Sequence, residues 1–80
     1  MLPLNQFQRF DVRALLQRGL EPLPAILERV GKLKPDQGLI IVAPFLPSPL
    51  IERLRSEGFD SKLERGSGSD WVVYFWREPA

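Results

Sequence analysis

The 80-residue chain contains no cysteine and no histidine. The first absence excludes disulfides, thiolate zinc sites, persulfide chemistry and a cysteine nucleophile. The second removes the imidazole as metal ligand and as general base. Charge of one sign is also lacking. Eleven Lys and Arg stand against ten Asp and Glu, a net charge of +1, so there is no concentrated basic field to draw nucleic acid or anionic lipid. Long apolar runs are missing too, since the longest uncharged apolar stretch, Gly38 to Ile51, is interrupted by three prolines and is too short to span a bilayer. Met1–Asn5 has neither the basic segment nor the apolar core of a signal peptide. The expectation is a soluble, cytoplasmic protein, and the lack of cysteine agrees with a reducing compartment.

What is present is enough for one small domain over residues 1–80, 44% hydrophobic with eight prolines and six glycines, near the lower size limit for an unaided core. Phe7–Arg13 alternates in part, with Phe10 and Val12 on one side and Arg9, Asp11 and Arg13 on the other, which predicts a first strand. After Gly19, Pro22 and Pro24 open a segment whose Leu23, Ile26, Leu27, Val30 and Leu33 follow helical spacing. The prolines fall in its first turn, where a missing N–H costs little. Pro35–Gly38 suits a turn. Leu39–Ala43 is continuously apolar and β-branched, as a central strand should be. Ser48 as N-cap and Pro49 as first helical residue predict a second helix from about Pro49 to Glu57, ended by Gly58. Phe59–Arg65 alternates strictly and reads as a charged edge strand. Gly66–Asp70 then leads by a hairpin into Trp71–Trp76.

The element order is β-α-β-α-β-β. Right-handed crossovers put both helices on one face, and a fourth strand inserted antiparallel between the second and third gives the order 1-2-4-3. The fold class is α+β, a two-layer sandwich with a mixed four-stranded sheet and one face left uncovered by helices.

This order, with Asp11-Val12-Arg13, Gly19-Leu20-Glu21-Pro22-Leu23-Pro24, Ala43-Pro44-Phe45-Leu46-Pro47-Ser48-Pro49-Leu50 and Glu57-Gly58-Phe59, resembles the TusA/SirA-like sulfur-carrier superfamily, in an uncharacterised branch. Those carriers hold a persulfide on a cysteine just before a proline at the first helix N-terminus. Here Glu21 precedes Pro22 and the stretch is one residue short, so sulfur transfer is chemically impossible. The resemblance implies a carrier scaffold retained for binding.

Two surfaces are candidates. At the carboxyl ends of the parallel strands, Arg13, Glu21, Pro22, Pro24, Phe45, Pro47 and Ser48 gather as a ligand site, where two helix N-termini and Arg13 can hold a small anion. The alternative is that Glu21 only complements the helix dipole and Arg13 pairs with it or with Asp11. On the sheet, Trp71, Val73 and Phe75 are assigned inward and Val72, Tyr74 and Trp76 outward, an apolar patch suited to a protein partner or a homodimer. Its alternative is that Met1–Gln6 folds over the patch, or that both faces are apolar simply because the strand is central. Basic residues are interleaved with acids rather than striped, which argues against nucleic acid. An acid–base enzyme on Asp11 and Glu21 would need a closed pocket that a chain this short does not supply. No catalytic residue, cofactor, metal or membrane partner is expected. The sequence reading is therefore a non-enzymatic binding or adaptor module, with a small-anion or metabolite sensor as the alternative.

Overall fold

The computed structural model describes residues 1–78. After a 3-10 turn over Leu4–Gln6, strand β1 spans Phe7–Asp11, helix α1 Arg13–Gln17, helix α2 Pro22–Gly31, strand β2 Gly38–Ala43, helix α3 Ser48–Ser56, strand β3 Asp60–Arg65 and strand β4 Trp71–Trp76. The sheet order is β1-β2-β4-β3, with β1 and β2 parallel and β4 antiparallel to both β2 and β3. This is the α+β sandwich that the hydrophobic patterning predicts, with a third helix added.

That third helix corrects the expected first strand. The strand ends at Asp11 rather than Arg13, because the Asp11 carboxylate turns back to accept the Arg13 backbone N–H at 3.0 Å and starts a helical turn. Ala14-Leu15-Leu16-Gln17-Arg18 are all good helix formers. Gly19, at φ 75°, ends the helix. Gly19 N–H donates to the Leu16 carbonyl and Leu20 N–H to the Leu15 carbonyl, the Schellman closure that favours glycine. Helix α3 ends in the same way. Gly58 at φ 93° and Phe59 donate to the Arg55 and Leu54 carbonyls, and Phe59 is buried. At its other end α3 begins one residue earlier than predicted. Pro47 is the N-cap and no side chain caps the helix, so Ser48 is the first helical residue instead of the cap.

The core lies between the sheet and the helices. Leu39, Ile41 and Ala43 of β2 and Val73 and Phe75 of β4 are alternate residues on one face, and they pack with Ile26, Leu50, Ile51 and Leu54. All are nearly inaccessible. Half-buried Phe10, Leu15, Leu16 and Leu27 pack around them. At the periphery, guanidinium groups cover aromatic rings: Arg29 lies 4.3 Å from the Phe10 centroid, Arg65 4.5 Å from Trp71 and Arg77 4.2 Å from Phe59. Such contacts hold the arginine over the ring while its outer edge stays in water. Among the described residues no helix is long and apolar enough to cross a membrane.

The face without helices is closed by its own side chains. Phe7 pairs with Gly38 across β1 and β2. With no side chain at Gly38, the Phe7 ring swings over the central strand to meet Tyr74 edge-on at 5.6 Å and Trp76 at 6.4 Å. A Cβ at Gly38 would overlap that ring and lie 2.8 Å from the Phe75 carbonyl oxygen. The backbone oxygen cannot move aside as a rotamer can. Gly38→Ala should therefore destabilise the domain by about 1–3 kcal/mol, the cost of overpacking. A urea titration that gave wild-type stability would show that the slot is not filled as described.

Candidate functional site

The residues predicted to form one ligand site divide into two groups. Arg13, placed at the end of β1 by the tight turn after Asp11, is paired with two carboxylates. Its Nε donates to Asp11 Oδ1 at 2.9 Å and its Nη1 to Asp70 Oδ2 at 2.6 Å. Asp70 immediately precedes β4, so the guanidinium ties the β3–β4 loop to the exit of β1. Hydrogen bonds from Arg13 hold the Asp11 carboxyl well below the usual carboxylate range, at about 2. The two carboxylates raise the guanidinium above its ordinary value. Three of its five N–H groups go to the two carboxylates, whose negative charges offset the attraction of the guanidinium for a further anion.

The helix starts also lack some donors. The first four N–H groups of a helix, counted from the N-cap, have no intrahelical partner and are free to bind an anion. In α2 the first three residues are Pro22, Leu23 and Pro24, and only Leu23 carries an N–H. In α3 the second residue is Pro49 and the Ser48 N–H is directed to the Leu46 carbonyl. The prolines that mark these helices in the sequence also remove some of their anion-binding groups. Glu21 is the exposed N-cap of α2, in extended conformation and making no cap hydrogen bond. Pro24 and Ser48 are exposed as well.

Pro22, Phe45 and Pro47 have a different setting. They line a groove of about 380 Å³ at the carboxyl ends of β1 and β2. Val12, leaving β1, and Ile41 and Ala43 of β2 line it from the sheet. Leu23 and Ile26 contribute from α2, and Pro49, Leu50 and Arg53 from α3. The β2–α3 connection cannot extend the sheet, because Pro44 and Pro47 have no N–H for a ladder. It leaves the strand end flanked by apolar helix starts. Leu23 and Phe45, 40% and 48% exposed, stand at the surface of the groove, while Val12 and Ile26 are buried. Sequence reasoning missed Leu23, Ile26 and Leu50 as groove residues, since helical spacing marks them as core. It also missed Arg53, which reads as part of a solvated face.

The predicted protein-binding residues lie on the helix-free face. Trp76 is only 8% exposed, covered in part by Phe7, and its indole N–H donates to Glu78 at 2.6 Å. That bond is the main reason the Glu78 carboxyl is held below its ordinary value. Tyr74, half-buried, donates its hydroxyl to Glu64 at 2.8 Å, which raises its phenol above the ordinary range. Val72 is half-buried beside them. A ring cluster fringed by Arg9, Lys62 and Glu64 occupies the face. Of the exposed large apolar side chains, Leu23, Phe45 and Leu46 lie elsewhere.

Among the described residues no group of three acidic side chains is placed to hold a metal ion.

The Arg13 cluster makes the acid response of the fold testable. A carboxyl whose pKa is depressed on folding contributes stability above its unfolded pKa of about 3.9 and loses it as pH falls towards the folded value. Asp11, at about 2 when folded, contributes fully at neutral pH and loses that contribution between about pH 4 and pH 2. Asp11→Asn should lower thermal stability at pH 7 and flatten its decline over that acid window. A variant as acid-sensitive as wild type would show that Asp11 is not the titrating group.

No curated protein and no solved structure matches the chain significantly. Residues 9–77, which include both strand-end features and all four strands but for the first two residues of β1, match the family described as "Uncharacterized conserved protein (DUF2249)", and the protein belongs to that family.

Proposed function

We propose that this chain is a non-enzymatic binding module, built on a sulfur-carrier-like scaffold without the persulfide cysteine, whose working surface is the groove at the ends of β1 and β2. The observation that carries the reading is the chemistry of that groove. It is concave, about 380 Å³ in volume, and apolar on every side but Arg53. Binding sites for small ligands are concave, mainly apolar and few per protein. Nothing among the liners is a nucleophile, a general base or a general acid, so what the site offers is apolar contact. Glu21, at the position where the carriers have their cysteine, is the N-cap beside Pro22 of the groove wall. The place where sulfur would be held thus borders a place where an apolar group can be held.

The sheet face supports the reading less well. Its central aromatic residue, Trp76, is buried, and Tyr74 and Lys62 are engaged with Glu64. The small-anion reading is supported less well, since Arg13 is paired with two carboxylates and prolines replace several N–H groups at the helix starts.

A neutral probe tests the groove directly. Titration with 1-octanol, followed by 1H–15N correlation spectra, should shift the amides of Ile26, Ala43 and Phe45 and leave those of β3 unmoved. Leu23→Asp changes an exposed wall residue and should weaken the response at least several-fold while preserving the fold. Tyr74→Ser should leave it unchanged. Shifts centred on Tyr74 and Trp76 instead would transfer the working surface to the sheet.

A further inference from the structure

The groove has one charged side chain among its liners. Arg53 extends from the middle of α3, and none of the other ten liners carries a charge. Among the described residues its ionic partner is Glu57, one helical turn on, at 3.4 Å, and both side chains are about half exposed. An exposed i, i+4 pair of this kind is weak, so the guanidinium can leave it for a better acceptor. Arg13, by contrast, is held by two carboxylates. Of Arg13 and Arg53, the second is therefore the one available to a ligand in the groove.

We propose that the groove takes a small monocarboxylic acid with an apolar body, the body lying against Ile26, Ala43 and Leu50 and the carboxylate meeting Arg53. The inference rests on the groove being the working surface and names what occupies it. Size points to a small molecule rather than a protein segment. A volume of about 380 Å³ lies at the lower end of the range for small-ligand sites, whereas a stable protein interface covers about 800 Å² on each partner. Charge then selects among small molecules. A planar guanidinium matches a carboxylate through two parallel hydrogen bonds. A cationic head group would face Arg53 with no acidic liner to offset it. A ligand with two or more acidic groups would have to place the rest in the apolar part of the groove, where an unpaired charge is costly.

Octanoate and 1-octanol, equal in chain length and different in charge, separate the inference from the reading beneath it. At pH 7 and low salt, octanoate should shift the Ile26, Ala43 and Phe45 amides and bind on the order of tenfold more tightly than 1-octanol, the scale of one charge-assisted contact. Arg53→Gln should remove that advantage, bringing octanoate to the affinity that 1-octanol has for the same variant. Arg55→Gln, on the same helix and outside the groove, should remove nothing. If octanoate binds no better than 1-octanol, or keeps its advantage in Arg53→Gln, the carboxylate assignment is wrong while the apolar groove stands. If neither probe moves the groove amides, both readings fall.

Discussion

A strand with no polar side must be covered on both of its faces, and β2 is such a strand. Leu39, Ile41 and Ala43 face the helices and Val42 the other way, all of them buried. With β1 on one flank and β4 on the other, both edges of its backbone are paired. The two faces are then covered by different means. On one, α2 and α3 bring Ile26, Leu50, Ile51 and Leu54 into the core. On the other, a chain of this length has no helix to spare, and aromatic side chains of β1 and β4 do the work. Gly38 makes this possible by leaving room for the Phe7 ring above the middle of the sheet. A fold this small depends on that economy, because its core alone has little stability in reserve.

The same arrangement accounts for the character of the strand ends. Parallel strands deliver their carboxyl ends to one edge of the sheet, where loops and helix starts converge. In this chain the convergence separates by chemistry. Charged groups pair with one another, Arg13 with Asp11 and Asp70, and so hold the β1 exit against the β3–β4 loop. Apolar groups gather beside them in the groove, because prolines at 22, 47 and 49 offer hydrocarbon surface and no N–H. The proline-rich helix starts thus change the local chemistry from anion recognition to apolar contact.

Hydrophobic spacing made the four strands, the two longer helices and the sheet order legible. Leu39–Ala43 has the composition of a doubly covered strand, and the alternation through Lys62 and Glu64 marks an edge. Helix α1 was not legible from spacing, because a five-residue helix shows hardly more than one turn of periodicity. Its signal was local, an Asp two residues before the first turn and a Gly after the last. Of the candidate site, Pro22, Phe45 and Pro47 were found from their place at the strand ends. Leu23, Ile26 and Leu50 were not, since a residue that lines a groove and one that fills a core have the same periodicity.

The sequence by itself determined which segments pair and pack, because burial of apolar surface follows a pattern that is local and periodic. It also excluded thiol and imidazole chemistry outright, since no tertiary arrangement can supply an absent atom. The tertiary structure decided which charges were already spent. Arg13 and Arg53 are equivalent as residue types, but Asp70, distant in sequence, reaches Arg13 through the β3–β4 loop, while Arg53 pairs with Glu57 at the end of its own helix. It decided, too, that Trp76 is covered, because Phe7 and Gly38 come together only when β1 and β2 pair. Contacts between residues far apart along the chain depend on register and on the space left between elements, and neither quantity is written in the order of the residues.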